Sequence, residues 1–203
     1  MNLSAEERAR RIKVLIFDVD GVLTDGQLFF LPENNGQPGP DGKRHGLEFK
    51  GFTAHDGLGI TLARLGGLRV GIITKRESAT VAIRAQDLKL EFVYQGQAYK
   101  MDAIKEILTR ANITIDELAY VGDDVVDLPV MRVCGLSIAT ANARIQAKAA
   151  AHYITPNPGG HGAGRDAIDF ILAAQGKLNS AIEAFLDADN PAAAAADIGT
   201  GKM

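Results

Sequence analysis

The segment VLIFDVDGVLTDG, from Val14 to Gly26, determines the fold class that this chain can adopt. Its first four residues form an apolar run too short for a helix, which is typical of a strand buried on both faces in a parallel sheet. Asp18 and Asp20 follow directly, and the carboxyl ends of parallel strands form the crevice in which open α/β sheets bind ligands. Two carboxylates so close together require a cation, and hard oxygen ligands favour Mg²⁺. We therefore predict a magnesium site at the end of this strand.

Composition excludes several classes of protein. The chain has 203 residues, of which 46% are hydrophobic and 23% are charged, so we expect one globular domain. The net charge of −3 offers no basic surface for nucleic acid or for an anionic membrane, and we expect neither as a partner. Cys134 is the single cysteine, which excludes an internal disulfide and a cysteine-rich zinc site. No apolar run approaches the roughly 20 residues that cross a bilayer, and residues 1–11 lack the apolar core of a signal peptide, so we expect a cytoplasmic protein.

Strands and helices alternate along the rest of the chain, and this pattern predicts an α/β fold with a doubly wound (Rossmann-like) parallel sheet and helices on both faces. Further buried strands are expected at residues 69–73, 92–94, 118–122, 135–138 and 153–154. Helices are expected at residues 57–65, 78–88, 100–111, 142–150 and from 165 to about 185, with Asp56 as the cap of the first. We assign residues 1–176 to a single domain and residues 177–203 to a helical extension and a disordered tail.

Residues 27–53 interrupt this alternation and are predicted to form a β-hairpin flap. Residues 27–31 are mostly apolar, residues 32–42 are dense in glycine, proline and asparagine, and residues 47–52 alternate apolar and charged side chains. The loop-forming segment gives this hairpin a long tip. Neither the hairpin nor residues 76–99 can house a separate domain of roughly 50 residues or more, so we expect no cap domain.

The motif DVDGVLTDG, at residues 18–26, resembles the pattern DxDGxLxD that opens the haloacid dehalogenase superfamily of phosphotransferases. The other elements of that superfamily pattern follow in the expected order. Thr74 ends the second strand of the sheet, Lys100 begins a later helix, and Asp123 and Asp124 end the fourth strand. The resemblance therefore covers nearly the whole predicted sheet and does not rest on one motif.

The resemblance implies a role for each of these residues. Asp18 is expected to attack phosphorus and form an aspartyl-phosphate, while Asp20 acts as the general acid/base. Mg²⁺ is expected on one Asp18 oxygen, the Asp20 backbone carbonyl and Asp123. Thr74 and Lys100 are expected to donate to the phosphoryl group and to neutralise its developing charge.

Asp124 and Asp127 are assigned to supporting positions, where they hold Lys100 or metal-bound waters. Each motif taken alone also has a structural explanation. The alternatives are a metal-free turn at Asp18 and Asp20, a helix N-cap at Thr74, a surface lysine at Lys100, and a helix-start cap at Asp123 and Asp124. The joint occurrence of all the motifs favours the catalytic interpretation.

The lack of a cap domain narrows the resemblance to the capless 3-deoxy-D-manno-octulosonate 8-phosphate phosphatases, which are homotetramers. Five further segments are similar to that family: DGLGI at 56–60, ITKR at 73–76, YQG at 94–96, GDDVVDLPVM at 122–131 and GGHGAGR at 159–165. A hairpin that pairs with its own copies across subunits would cover the site and satisfy open strand edges. The resemblance therefore implies a homotetramer.

The same resemblance implies where a substrate binds. Contacts are expected from residues that the family pattern places at the crevice: Thr74, Arg76, Gly159, Gly160 and Arg165. Arg76 is expected to hold a sugar carboxylate, and its structural alternative is an ion pair with Glu77 or Glu48. The segment 159–165 is expected to reach the site of a neighbouring subunit.

We therefore expect a Mg²⁺-dependent phosphatase of a small acidic sugar phosphate. The resemblance implies 3-deoxy-D-manno-octulosonate 8-phosphate, an intermediate of lipopolysaccharide biosynthesis. The alternatives are a nine-carbon sugar 9-phosphate of the sialic-acid type, a non-catalytic assembly module with the phosphatase fold, and a receiver-like regulatory domain. Lys75 where glycine is usual, Gly164 in place of a common valine, and the long hairpin tip leave the sugar open. His55 and His161 are interpreted as solvated loop residues.

Overall fold

The computed structural model describes residues 3–43, 45–187 and 189, so nearly all of the predicted disordered tail lies outside the described residues. The strands, in chain order, are β1 (Val14–Phe17), β2 (Phe29–Pro32), β3 (Gly46–Phe49), β4 (Arg69–Ile73), β5 (Phe92–Tyr94), β6 (Leu118–Gly122), β7 (Leu136–Ala139) and β8 (Tyr153–Ile154). The helices are α1 (Ala5–Ala9), α2 (Ala54–Leu65), α3 (Ala79–Asp87), α4 (Lys100–Ala111), α5 (Leu128–Met131), α6 (Ile145–Ala150), α7 (Ala163–Ala174) and α8 (Leu178–Leu186). None of these described helices is long and apolar enough to cross a membrane.

Six strands form one parallel sheet in the order β5-β4-β1-β6-β7-β8, and the predicted α/β fold is confirmed. Because side chains alternate along a strand, Leu15 and Phe17 pack into the core shared with α2 and α7, while Val14 and Ile16 pack into the core shared with α4. The chain runs outward from β1 to β4 and β5 on one side and then returns to β6 on the other. The crevice of such a sheet lies where the strand order reverses, which is at the carboxyl end of β1.

Three predicted helix boundaries are wrong, and the first is the start of α6, which is Ile145 and not residue 142. Helix α2 begins at Ala54, with Thr53 as its N-cap, so Asp56 is not the cap of this helix. The predicted single helix from 165 to about 185 is two helices, because Gly176 adopts a φ of 68° after α7. Gly176 and Lys177 donate backbone hydrogen bonds to the carbonyls of Ala173 and Leu172, at 2.9 and 2.8 Å. This left-handed glycine with its pair of hydrogen bonds is the Schellman arrangement that ends a helix.

Asp56 instead connects α2 to the beginning of α7. Its Oδ1 accepts a hydrogen bond of 2.8 Å from the backbone N–H of Arg165, in the first turn of α7. The side chain is buried, and its Oδ2 has no hydrogen-bond partner among the described residues. Burial raises the pKa of Asp56 to about 6, and the nearby charge of Asp166 contributes in the same direction.

This raised pKa predicts that replacing Asp56 by asparagine stabilises the protein at neutral pH. Asp56 has a pKa of about 6 in the folded protein and of about 3.9 in the unfolded chain, so the folded state binds its proton more tightly. The stability that this proton contributes is fully present below about pH 4 and is lost as the pH rises through about 6. A difference of about 2 between the pKa values is equivalent to about 3 kcal/mol, and the asparagine oxygen can still accept from Arg165. Urea unfolding at pH 4 and pH 7 should show the variant gaining up to about 3 kcal/mol over the parent at pH 7 only.

The matched control is Asp102→Asn, because the Asp102 side chain is 71% exposed and forms a surface ion pair. We expect this control to follow the parent within about 0.5 kcal/mol at both pH values. A stability difference for Asp56→Asn that is the same at pH 4 and pH 7 would contradict the prediction.

The predicted hairpin is present as a separate two-stranded antiparallel sheet of β2 and β3, with Phe30 opposite Glu48. Its apolar side chains are between 42% and 57% exposed in the single chain: Leu28, Phe29, Phe30, Leu31, Leu47 and Phe49. An isolated two-stranded hairpin is marginal in water, and apolar patches of this kind mark interaction sites. The hairpin therefore has the composition of a segment that is covered by another surface.

Candidate active site

Three predicted site residues lie at the ends of adjacent strands. Asp18 follows β1, Thr74 follows β4 and Asp123 follows β6, and these strands are neighbours in the order β4-β1-β6. The strand pairing continues into the site, because the Asp18 N–H donates to the Val121 carbonyl at 2.9 Å and the Thr74 N–H donates to the Tyr94 carbonyl at 2.9 Å. The sheet thus places the side chains of Asp18, Thr74 and Asp123 at the carboxyl ends of three neighbouring parallel strands.

Lys100 is buried beside Asp18. Its Nζ lies 2.9 Å from Asp18 Oδ1 and 2.6 Å from Asp127 Oδ1, and it donates to the Tyr120 hydroxyl at 3.0 Å. The residue is only 4% exposed, so the alternative of a surface lysine is wrong. Thr74 is 2% exposed and is not the cap of a helix, since the residue that precedes α3 is Ser78. Both predicted residues therefore lie inside the site.

Asp127 fixes the loop after β6 and the lysine at the same time. Its Oδ2 accepts from the backbone N–H groups of Asp123 at 2.9 Å and Asp124 at 3.2 Å. Its Oδ1 accepts from Lys100 and from the Tyr120 hydroxyl, the latter at 2.7 Å. This geometry fits the supporting position predicted for Asp127. Asp124 differs, because its Oδ1 accepts from the Val125 N–H at 2.7 Å within its own loop.

The site carries an excess of buried negative charge. Burial raises the pKa of Asp18 to about 7, against the opposing effect of Lys100, and burial with the charge of Asp127 raises the pKa of Asp123 to about 7. Burial alone would lower the pKa of Lys100, but Asp18 and Asp127 raise it more, so the ammonium stays protonated. One buried ammonium does not balance three carboxylates, and a further cation would stabilise the ionised form of the cluster.

The carboxylates of Asp18, Asp123 and Asp127 can hold a divalent metal ion. Each offers an oxygen, and these oxygens lie within 4.8 Å of one another. Both oxygens of Asp127 already accept hydrogen bonds, which leaves Asp18 and Asp123 as the better ligands. Gly21 makes room for this arrangement: its φ is 90°, and a Cβ at this position would lie 2.3 Å from Asp123 Oδ2. An all-oxygen donor set of this kind suits a hard cation.

Asp20 contacts the hairpin. Its Oδ1 accepts from the Nζ of Lys50, and its Oδ2 lies 3.9 Å from the Nε of Arg76. Glu48 in turn accepts from Arg76 at 2.6 Å and lies 3.5 Å from Lys50. The ion pair between Arg76 and Glu48, which the sequence left as an alternative, is therefore present, and the contact of Arg76 with a substrate stays a prediction.

Lys50 is part of this site, although it was not among the residues predicted from the sequence. The available signal was the alternation of residues 47–50, which places Glu48 and Lys50 on the same side of the hairpin and Leu47 and Phe49 on the other. That pattern does not reveal which side faces the crevice.

Gly159 and Gly160 pack against the first motif of their own chain. The Gly159 N–H donates to Asn142 Oδ1 at 2.9 Å, and the Gly160 N–H donates to the Val22 carbonyl at 3.1 Å. A Cβ on Gly159 would lie 1.9 Å from the Gly21 carbonyl oxygen, so no side chain fits there. The reach of this segment into a neighbouring subunit stays a prediction.

Arg165, His55, His161 and Lys75 lie around the site without entering the carboxylate cluster. The Arg165 guanidinium pairs with Asp169 at 2.7 Å, in the next turn of α7. His161 is exposed in a turn, as expected. His55 is exposed too, but it lies in the first turn of α2, so its assignment to a loop is wrong, and Lys75 is exposed directly after Thr74.

Comparison with known proteins agrees with this geometry. The sequence model of the family described as haloacid dehalogenase-like hydrolase matches residues 72–164. The chain is 41% identical over 174 residues to 3-deoxy-D-manno-octulosonate 8-phosphate phosphatase KdsC of Escherichia coli (strain K12), covering 86% of each sequence.

Solved structures give the same result. The crystal structure of 3-deoxy-D-manno-octulosonate 8-phosphate phosphatase from Yersinia pestis matches with a TM-score of 0.76 and 39% identity, over 86% of this chain and 88% of that one. The phosphatase of the same name from Moraxella catarrhalis, in complex with magnesium, phosphate and KDO, matches with a TM-score of 0.78 and 35% identity, over 89% of this chain and 97% of that one. The resemblance expected from the motifs is confirmed, and the chain belongs to the haloacid dehalogenase-like hydrolases, within the family of 3-deoxy-D-manno-octulosonate 8-phosphate phosphatases.

Proposed function

We propose that this chain is a Mg²⁺-dependent phosphatase that hydrolyses 3-deoxy-D-manno-octulosonate 8-phosphate to the free sugar acid and phosphate, for lipopolysaccharide biosynthesis in the cytoplasm. The observation that carries the proposal is the buried pair of Asp18 and Lys100 beside Asp123, in a chain 41% identical to the Escherichia coli phosphatase. The Moraxella catarrhalis relative, crystallised with magnesium, phosphate and KDO, supports the same metal and sugar.

In the first step, an Asp18 carboxylate oxygen attacks phosphorus, and the bond from phosphorus to the sugar oxygen breaks. Lys100 holds Asp18 Oδ1 at 2.9 Å and so restrains the nucleophile before the attack. Asp20 donates its proton to the departing sugar oxygen. The Thr74 hydroxyl donates to a phosphoryl oxygen. The product of this step is an aspartyl-phosphate on Asp18 and a neutral sugar alcohol.

In the second step, Asp20 takes a proton from a water molecule, whose oxygen attacks phosphorus and releases the Asp18 carboxylate. One Asp18 oxygen, the Asp20 backbone carbonyl and Asp123 would hold a Mg²⁺ ion, whose positive charge would offset the negative charge of the phosphoryl group. Asp127 keeps Lys100 and the loop after β6 in place during both steps. The reaction is thereby divided into two displacements, in which first Asp18 and then water attacks phosphorus, and Asp20 carries the proton in both.

Substrate selection is assigned to the guanidinium of Arg76, whose side chain is 39% exposed even with Glu48 bound. A planar guanidinium can hold the carboxylate of a keto-acid sugar through two hydrogen bonds. Gly159, Gly160 and Arg165 would contribute to the site of a neighbouring subunit.

The substrate assignment is tested by phosphate release from the eight-carbon sugar acid 8-phosphate and from a nine-carbon sugar acid 9-phosphate. We expect kcat/KM to favour the eight-carbon substrate by at least about tenfold, which is equivalent to about 1.4 kcal/mol. Turnover of unrelated phosphate monoesters without turnover of either sugar acid would contradict the assignment. The Asp18→Asn variant in the same assay gives the background rate.

Asp20→Asn should leave the enzyme able to bind substrate and unable to complete turnover. Loss of the general acid/base is expected to lower kcat for the sugar phosphate by about 10²- to 10⁴-fold. With an aryl phosphate, whose leaving group departs without a proton, the variant should accumulate phosphorylated Asp18, which intact-protein mass spectrometry detects after rapid quenching. Parent-like turnover of the sugar phosphate would contradict the role of Asp20.

We further propose that the chain works as a homotetramer in which the hairpin covers the site. The exposed apolar residues of β2 and β3 support this proposal, because they require a covering surface. Dilution that separates the subunits should therefore lower the specific activity, measured by phosphate release alongside light scattering. A fully active monomer would contradict the proposal.

A further inference from the structure

We propose that Lys50, at the end of the hairpin strand β3, is a positioning residue for the Asp20 carboxylate. This inference rests on the proposed function, because it assumes that Asp20 is the proton carrier. It is based on the contact between the Lys50 Nζ and Asp20 Oδ1. Lys50 follows the two-stranded hairpin sheet and Asp20 follows β1 of the six-stranded sheet, so the contact connects two separate sheets.

The side chain of Lys50 is fully buried, at 0% exposure. A buried ammonium is unfavourable unless anions compensate for the water that it loses. Lys50 has two such anions, Asp20 in direct contact and Glu48 at 3.5 Å. The lysine is therefore held in one place, and the carboxylate that it contacts is held with it.

Glu48 fixes the other end of this arrangement. Its side chain is 16% exposed and accepts from Arg76 at 2.6 Å, and its backbone carbonyl accepts from the Thr80 hydroxyl of α3 at 3.2 Å. Two bonds thus connect β3 to the region after β4, and they orient the side of the hairpin from which Lys50 extends. The hairpin that is proposed to cover the site also supplies the cation that orients Asp20.

The contact assigns different tasks to the two oxygens of Asp20. Oδ1 can accept from Lys50 whether or not Asp20 is protonated, and Oδ2 lies 3.9 Å from the Nε of Arg76, beyond hydrogen-bond distance. Oδ2 is therefore the oxygen that can carry the proton to the departing sugar oxygen. Without Lys50, rotation about the Asp20 side-chain bonds would let this oxygen move out of line with the leaving group. Lys100, at the start of α4, restrains Asp18 by a similar contact. The nucleophile Asp18 and the proton carrier Asp20 are therefore each held by a different lysine.

The test compares two substrates in the Lys50→Met variant, which keeps the length of the side chain and removes its charge. Single-turnover cleavage of the sugar phosphate, which needs a proton from Asp20, should slow at least about tenfold. The burst of nitrophenolate from 4-nitrophenyl phosphate, which needs Asp18 and no proton, should stay within about threefold of the parent. Lys50→Arg, which keeps the positive charge, should recover part of the lost rate.

The matched control is Lys105→Met, which removes a 71% exposed lysine from a surface ion pair on α4 and should leave both rates unchanged. Equal slowing of both substrates by Lys50→Met would overturn the inference, because the residue would then support the site as a whole. Unchanged rates for both would overturn it as well. Thermal unfolding and light scattering establish that the variant is folded and assembled. If Lys50→Met does not fold, the same split is measured in Lys50→Gln, which also removes the charge and keeps a polar side chain.

Asp20→Asn run in parallel separates failure of this inference from failure of the proposed function. If Asp20→Asn cleaves the sugar phosphate slowly and Lys50→Met cleaves it at the parent rate, only the proposed role of Lys50 is contradicted. If Asp20→Asn cleaves the sugar phosphate at the parent rate, the proposed role of Asp20 is contradicted, and so is the inference about Lys50 that depends on it.

Discussion

Replacing Asp18 by asparagine should abolish phosphate release, with kcat falling at least about 10⁴-fold while the fold is kept. An amide cannot form the bond to phosphorus that the carboxylate forms, so both displacements are lost. The substitution keeps the size of the side chain at a position that is 5% exposed. Burial raises the pKa of Asp18 to about 7, so the neutral amide relieves a penalty that the carboxylate carries in the folded state.

The measurement is phosphate release from the sugar phosphate and the nitrophenolate burst from an aryl phosphate, both of which need the nucleophile. Neither should rise above the rate without enzyme. Asp102→Asn, at an exposed position, serves as the control and should keep the parent rate. Residual turnover of Asp18→Asn, with a burst, would show that another group attacks phosphorus.

Replacing Lys100 by methionine should have the largest effect on stability. The variant leaves Asp18 and Asp127 buried without their shared cation, and removing one partner from a buried ion pair typically costs about 3–5 kcal/mol. Without the ammonium, which lowers the pKa of Asp18, that pKa rises further. A raised carboxyl pKa in the folded state means that stability is lost as the pH rises through it, so the cost should be larger at pH 8 than at pH 5. We also expect turnover to fall at least about 10²-fold, because Asp18 is no longer restrained.

Urea unfolding at the two pH values checks this prediction, with Lys105→Met as the control at an exposed lysine. The double variant Lys100→Met with Asp127→Asn should recover part of the lost stability, because the uncompensated charge is removed with the lysine. A loss of stability for Lys100→Met that is equal at pH 5 and pH 8 would contradict the electrostatic explanation.

The strands of the sheet were predictable because each is a short apolar run bounded by polar or glycine-containing segments. Residues 92–94 and 118–122 are strands with the predicted bounds. The end of α7 was missed because the apolar periodicity of α8 continues that of α7, and only the left-handed turn at Gly176 separates them. The role of Asp56 was missed because its partner, Arg165, lies 109 positions away in the sequence, and local propensity carries no information about such contacts.

The chemistry of the site was predictable where motifs follow strands. The position of Asp18, Thr74 and Asp123 directly after predicted parallel strands is sufficient to place them on one side of the sheet. That their strands are neighbours follows from the strand order in the structure. The contacts of Lys50 were beyond the sequence, because the position of the hairpin relative to the sheet depends on tertiary contacts. The role of Lys100 in the site was implied by the superfamily resemblance, but its burial between Asp18 and Asp127 became known only from the structure.

The close approach of Gly21, Asp123 and Gly159 has a consequence for laboratory evolution of this enzyme. Three distant segments meet there with no spare volume, so the floor of the pocket has almost no tolerance for sequence change. New substrate preferences must therefore arise elsewhere, and the hairpin offers exposed side chains for this at positions other than Glu48 and Lys50, which hold Arg76 and Asp20.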